Sequence, residues 1–229
     1  MMSELNALLA ATILFVGGHF LLSSQALRPH LVARLGEGGF RGLYSAVAAV
    51  SLAWMSYAYA HAPLVELWHA PALRWLPLVL LPIAAVLAVA GLTTRSPTAV
   101  GGESLAGEGD PAPGILRITR HPFLWGVALW AFAHLAANGD VASLAFFGGF
   151  LVLSLGGMQH IDHRRERTLG SAWGPMKLTT SVLPFAAIAT RRTTMDWRGL
   201  GWWRPLLGLV LYLALLHLHP LLFSASPLP

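Results

Sequence analysis

Six long apolar runs that contain no Asp, Glu, Lys or Arg dominate this sequence of 229 residues. The runs are Leu5–Leu22, Gly42–Ala60, Trp75–Leu92, Phe123–Ala137, Val141–Met158 and Pro205–Phe223. A helix needs roughly 20 apolar residues to cross a bilayer, with ~17 as the usual lower limit, and all but the fourth run reach that limit. The sequence therefore predicts a single all-α domain over residues 1–229, a polytopic membrane protein with about six transmembrane helices. Five or seven helices are the alternatives.

The positively charged residues predict the orientation of these helices. Charged residues make up only 11% of the chain, and of its 15 Lys and Arg all but Arg74 fall in the first, third and fifth connections. The first of these, with Arg28, Arg34 and Arg41, is expected to be a loop. Because connections rich in Lys and Arg stay in the cytoplasm, both termini are expected to face the periplasm of a bacterial inner membrane. The cations then serve topology and contact with the lipid bilayer, and no nucleic-acid partner is expected.

Local signals at the helix borders predict the shape of the other connections. Asn138-Gly139-Asp140 is a minimal helix hairpin, in which Gly139 takes the left-handed conformation and Asp140 caps the next helix. Residues 159–169 are predicted to extend the fifth helix along the membrane interface. Residues 178–190 are mildly apolar but too short to span, so an interfacial cytoplasmic segment is expected before the last helix. It is expected either to lie flat on the membrane or to re-enter it.

Two histidines inside apolar runs are the main candidates for chemistry, since the chain has no cysteine. His19 and His134 are ionisable groups within the membrane, where such groups mark functional sites by default, and neutral imidazole is a common haem ligand. Trp130 lies one turn before His134 on the same helix face and is expected to contact the same cofactor. At ~1.5 Å per residue the two histidines differ in depth by about 9 Å. The alternative is that each imidazole only hydrogen-bonds a neighbouring helix.

The most distinctive polar stretch places Arg120 and His121 at the expected cytoplasmic start of a helix. A helix N-terminus attracts anions through its free N–H groups and its dipole, and arginine adds a bidentate donor. The anion could be a cofactor carboxylate, a haem propionate or a lipid phosphate.

A separate group of polar residues follows the fifth apolar run at the expected cytoplasmic border. These three residues could hold a metal, and the alternative is that they form a solvated polar face: His160, Asp162 and His163.

Several motifs together carry a resemblance to a known family. They are Gly18-His19, Arg28-Pro29, residues 35–44, Arg120-His121-Pro122, Trp130, Ala133-His134 and Asn138-Gly139-Asp140. In these motifs the chain resembles the NnrU family of bacterial membrane proteins, which is associated with nitrite and nitric oxide metabolism in denitrifying bacteria. That family is similar to 15-cis-ζ-carotene isomerase, a membrane enzyme that binds haem b through histidines of two transmembrane helices. The resemblance implies haem b on His19 and His134, redox or isomerase chemistry or a role in nitric oxide reduction, and an apolar, polyene-like ligand.

A weaker resemblance, to a second family, implies a different function. Its residues are Arg120-His121-Pro122, Glu166, Leu169-Gly170, Trp173, Val182 and Pro184-Phe185, and they are similar to isoprenylcysteine carboxyl methyltransferases. It implies an S-adenosylmethionine pocket around Arg120 and His121. The chain departs from that pattern at Leu124, where an aromatic residue is usual, and in lacking paired acidic residues before the leucine. A third alternative is a non-enzymatic assembly factor for a membrane oxidoreductase.

Overall fold

The structure, a computed structural model, describes residues 2–107, 109–110 and 112–229. Within these ranges it has no β-strand, only an isolated bridge between Glu66 and Asp140, so the all-α prediction is confirmed. The α-helices of the described ranges are α1 (Met2–Ser23), α2 (Arg28–Ala60), α3 (Leu76–Thr93), α4 (Pro122–Asn138), α5 (Val141–Leu169), α6 (Gly174–Thr179), α7 (Ala186–Ala189), α8 (Trp197–Leu200) and α9 (Trp203–Phe223). Short 3-10 turns lie at Pro71–Trp75, Glu103–Gly107, Gly114–Arg117 and Gly170–Trp173.

In the described ranges, four helical stretches are long and apolar enough to cross a membrane, as in a multi-pass membrane protein. They are Ser3–Ser23, Pro71–Thr93, Val141–Thr179 and Trp203–Phe223. Judged by helix length and composition alone, the described ranges therefore do not reach the predicted count of about six transmembrane helices. α4 has 17 residues, in line with the short fourth run of the sequence. The apolar part of α2 carries Tyr44, Ser51, Tyr57 and Tyr59, which lower its hydropathy.

The long helices form a row in which neighbours pack in the order α2, α1, α5, α4, α3 and α9. α3 and α4 approach closely at Gly126, where a Cβ would lie 2.7 Å from the carbonyl oxygen of Ala84. α9 approaches α3 in the same way at Gly208, where a Cβ would lie 2.6 Å from the Cα of Val86. Lipid tails are as apolar as the helices, so close packing at small residues is what holds helices together in a bilayer.

The first connection is not a loop, contrary to the prediction. α2 begins at Arg28 and includes the three arginines of that segment, and it is interrupted only at Gly36, with φ 70° and ψ 167°. Glycine adopts this backbone conformation without the steric cost of a Cβ. Helical geometry persists before the kink because Pro29 suits a first helical turn, and after it because Glu37 pairs with Arg41 one turn later. The pair between Arg28 and Glu37 joins the two parts across the kink.

The predictions for the next two helix borders are confirmed. Gly139 ends α4 in the left-handed conformation, with φ 68° and ψ 25°. The Asp140 carboxylate accepts a hydrogen bond from the backbone N–H of Ser143 at 2.9 Å and so caps α5. α5 continues as a helix to Leu169, well beyond its apolar part.

The connections 94–121 and 170–202 lie together, since the Arg120 backbone N–H donates to the Ser181 carbonyl and the Thr119 hydroxyl donates to that of Val182. Gln25 of the connection 24–27 is bonded by Arg167 near the same end of α5, and we call this part of the molecule the basic end. Residues 170–202 form α6 to α8, and Trp173 and Met176 are fully buried among Leu87, Ile115 and Leu116. The segment predicted to be interfacial, residues 178–190, packs beside them, because the carbonyl oxygen of Val182 accepts hydrogen bonds from Thr119 and Trp125. This packing positions the polar residues that precede α4.

Candidate functional site

His19 and His134 lie in a core formed by α1, α2, α4 and α5. The rings packed there belong to Phe15, Trp130, Phe146, Phe147 and Phe150, and we call this region the aromatic core. The ring of His134 stacks on Phe147 with centroids 5.0 Å apart. The ring of His19 meets the edge of Tyr44 at 5.3 Å. Both histidines therefore occupy an aromatic environment inside the bundle.

Each of the two imidazoles forms a hydrogen bond within its own helix. The Nδ1 of His19 lies 2.6 Å from the carbonyl oxygen of Phe15, and the Nδ1 of His134 lies 2.9 Å from that of Trp130. Because a carbonyl oxygen only accepts, Nδ1 carries the proton and Nε2 keeps its lone pair. This is the tautomer of a metal-binding imidazole whose other nitrogen is held by a backbone acceptor. Taken singly, each histidine fits the chemistry of a haem ligand.

The packing does not bring the two imidazoles together. In the described structure they share no ring contact, and intervening rings separate them. The shortest series of ring contacts between them runs through Phe15, Phe150 and Trp130, with successive centroids 4.6 to 5.3 Å apart. One iron bound by both imidazoles would require these rings to move aside. The pair as it stands therefore does not enclose the space of a macrocycle.

The depths of the two histidines can be compared along α5. His134 stacks on Phe147, whereas Phe20, the residue next to His19, packs so closely on Gly156 that a Cβ there would lie 2.9 Å from its ring. Phe147 and Gly156 are separated by roughly 13 Å along the helix axis at ~1.5 Å per residue. The two histidines therefore lie at different depths along α5, as the sequence indicates.

A second candidate site, a buried charge cluster, lies where the chain enters α4. Only 8% of the Arg120 side chain and 1% of the His121 side chain are exposed, and both contact the carboxylate of Asp162 on α5. Nε2 of His121 lies 2.8 Å from one Asp162 oxygen, and Nη1 of Arg120 donates to the other at 3.1 Å. Nη2 of Arg120 donates to the carbonyl oxygen of Thr180 at 3.1 Å, which joins the cluster to residues 170–202.

The charge of this cluster is balanced by the protein itself. Burial lowers the pKa of the Arg120 guanidinium, because desolvation disfavours the charged form, and the Asp162 carboxylate acts in the opposite direction. Asp162 thus supplies the negative charge that the residues before α4 were expected to obtain from a ligand.

The partners of Asp162 in the structure differ from those that the sequence predicts. The sequence groups it with His160 and His163, but His160 Nε2 lies 3.0 Å from the hydroxyl oxygen of Ser23. No group of three or more His, Cys, Asp or Glu that could hold a metal occurs in the described ranges. The sequence contained one indication that Asp162 pairs with Arg120. Asp162 is the first acidic residue of α5 and lies at the same end of the bundle as Arg120. Helical periodicity alone cannot identify a partner on another helix.

Comparison with known proteins establishes the family. The model of the NnrU protein family matches residues 7–227. The chain belongs to the NnrU family. This confirms the resemblance seen in the motifs. The matched region contains His19, Trp130 and His134 as well as Arg120 and His121, so both candidate sites lie within the part that this NnrU protein shares with its family.

Curated relatives of this NnrU protein include two chloroplastic 15-cis-zeta-carotene isomerases. The Zea mays protein is 39% identical over 79 residues, which cover 34% of this chain and 22% of the maize protein. The Arabidopsis thaliana protein is 35% identical over 82 residues, which cover 36% of this chain and 22% of that protein. The match thus spans about a fifth of the length of either relative. No solved structure matches the chain.

Proposed function

We propose that this NnrU protein is an isomerase-like membrane protein that acts on an apolar, polyene-like molecule within the bilayer. The similarity to two proteins named as ζ-carotene isomerases supports the reaction class. The aromatic core supports the substrate class, because an apolar ligand that displaced its packed rings would lie among apolar side chains between membrane helices. The link to denitrification stays a prediction of the family resemblance, and a membrane oxidoreductase partner stays a prediction of the assembly-factor alternative.

We further propose that haem b is the cofactor and that His19 and His134 hold it. The observation that carries this proposal is the hydrogen bond from each Nδ1 to a backbone carbonyl, which leaves each Nε2 free for iron. A bound haem would supply a redox-active iron centre in the apolar interior. The side chains of Phe15, Phe150 and Trp130 would rearrange to admit it.

An absorption spectrum of the detergent-purified protein, produced with haem supplied, tests this proposal. We expect a haem Soret band of a six-coordinate low-spin iron in the wild type. His19→Ala and His134→Ala should each shift the spectrum away from that state, and the double variant should lose the haem. Phe150→Ala should retain haem, because that ring has to move when the macrocycle binds.

The controls use histidines outside the aromatic core. His160→Ala and His163→Ala should leave the spectrum unchanged. A colourless wild-type protein would contradict the haem proposal, and a spectrum altered by only one of the two core variants would contradict a shared iron.

The methyltransferase alternative has less support from the geometry. Both oxygens of Asp162 already bind Arg120 and His121, so this pair offers little free positive charge to the carboxylate of S-adenosylmethionine. A colourless protein that binds S-adenosylmethionine would favour this alternative, and a colourless protein that binds neither would favour the assembly factor.

We also propose six membrane crossings, with both termini in the periplasm of a bacterial inner membrane. α2 and α4 pack beside helices that are long enough to span, and Arg28 and Arg41 of α2 lie beside Arg164 and Arg165 of α5 at the basic end. Reporter fusions after Asn138 and at the C-terminus should report the periplasm, and a fusion within residues 101–107 should report the cytoplasm. A cytoplasmic signal after Asn138 would contradict the helix count or the orientation.

A further inference from the structure

A cavity of about 290 Å³ opens at the basic end, separate from both candidate sites. It lies between the start of α2, the connection before α4 and the end of α5. Four arginines and two glutamates line it: Arg28, Arg41, Arg164, Arg165, Glu37 and Glu103. None of the residues of the buried charge cluster or the aromatic core contributes to its walls.

The two carboxylates of this cavity are already engaged with three of its arginines. Glu37 lies 2.7 Å from Arg28 and 3.4 Å from Arg41. Glu103 lies 2.5 Å from Arg165, whose second Nη atom donates to a backbone carbonyl. Within the described ranges no acceptor binds the guanidinium of Arg164. The cavity therefore holds two more positive than negative formal charges.

Several donors in the cavity walls have unmet hydrogen bonds. The Nε atoms of Arg28 and Arg165 are buried and have no hydrogen-bond partner. A buried donor without a partner costs free energy, and guanidiniums close together repel one another. An oxyanion with several acceptor oxygens would relieve both costs, and the planar guanidinium matches the geometry of a phosphate.

We propose that this cavity binds the phosphate group of an anionic ligand, with the unpaired Arg164 as its principal donor. Two excess positive charges suit a phosphomonoester or a phosphodiester in this position. The phosphate could belong to an anionic lipid headgroup at the membrane surface or to a soluble molecule, since the recognition chemistry is the same. This inference stands apart from the proposed function of the aromatic core.

The test uses the full chain in a neutral detergent and two probes. One probe is inorganic phosphate, compared with chloride at equal ionic strength. The other is phosphatidylglycerol, compared with phosphatidylcholine. Thermal unfolding and native mass spectrometry report binding. We expect stabilisation by phosphatidylglycerol alone if the ligand is a lipid, and stabilisation by inorganic phosphate as well if it is soluble.

Substitutions locate the site. Arg164→Gln should weaken binding roughly tenfold or more, since it removes a charge-assisted hydrogen bond. Arg164→Lys should restore it only in part, because lysine lacks the planar donor fork. The matched control is Arg167→Gln, which lies on the same helix outside the cavity and bonds Gln25. If Arg164→Gln does not fold, the exposed Arg41 provides a second variant, Arg41→Gln, with the same expected direction.

Two results would overturn the proposal. The first is a wild-type protein that responds to neither probe. The second is equal weakening by Arg164→Gln and Arg167→Gln, which would assign the effect to general surface charge.

Discussion

The aromatic core and the buried charge cluster both involve α5 and either α4 or the residues directly before it, yet different forces hold them together. In the charge cluster, side chains bond across helices, and His121 reaches Asp162 at 2.8 Å. In the aromatic core, His134 hydrogen-bonds only its own helix and meets α5 through the ring of Phe147. A missing partner in the cluster leaves a buried charge, whereas a missing hydrogen bond in the core leaves the ring packing in place. The two regions should therefore respond very differently to single substitutions.

The largest effect is expected from Asp162→Asn. This substitution leaves the buried Arg120 without its counter-charge, and removal of one partner of a buried ion pair typically costs about 3–5 kcal/mol. Equilibrium unfolding in detergent would measure the loss. The control is Asp110→Asn, whose exposed pair with Arg117 should contribute about 0–1 kcal/mol. A loss no larger than that of the control would show that the cluster does not stabilise the fold.

An intermediate effect is expected from Gly126→Val, which acts on both regions at once. Arg120 and His121 directly precede α4, and His134 lies towards its other end. The new side chain would push α4 away from α3. Overpacking of this kind costs about 1–3 kcal/mol. The same unfolding experiment would measure it.

Gly157→Ala is the matched control for that substitution. Its Cβ would meet Leu124 at an ordinary 3.8 Å, so its stability should stay close to that of the wild type. If Gly126→Val were equally well tolerated, the close approach of α3 and α4 would not determine the position of either site.

The smallest effect is expected from Tyr59→Phe in the aromatic core. The Tyr59 hydroxyl lies 3.0 Å from the hydroxyl of Ser143, and interhelical hydrogen bonds in a membrane contribute about 0.6 kcal/mol on average. The control is Tyr57→Phe, since Tyr57 is exposed. If Tyr59→Phe lowered the free energy of unfolding as much as Asp162→Asn, the two regions would not differ in their response to substitution.

Local chemistry allowed the sequence to predict much of the fold. Gly139 and Asp140 end one helix and cap the next because a left-handed glycine and an N-cap carboxylate act through their immediate neighbours. The first connection was predicted wrongly, since glycines and arginines indicate a loop, whereas the ion pairs of Glu37 hold helical turns on both sides of Gly36. The pair between Arg28 and Glu37 spans a kink whose direction is not evident from the sequence.

The candidate sites were predictable only in part. The sequence identified His19, His134, Arg120 and His121 as unusual polar residues at the ends or in the interior of apolar runs. It did not identify Asp162 as the partner of Arg120 and His121, because the two segments lie on different helices. Helical periodicity gives the face of each residue but not the rotation and axial shift of one helix against another.

The sequence by itself determined the apolar runs, the segregation of positive charge and the membership of the NnrU family. These properties follow from residue type and order, because the transfer of a segment into lipid depends on its own composition. Only the tertiary structure decided that Asp162 neutralises Arg120, that aromatic rings separate the two core histidines, and that Arg164 is left unpaired in a cavity. Each of these depends on how closely the helices approach and at what offset, which small residues such as Gly126 and Gly208 control through interhelical packing.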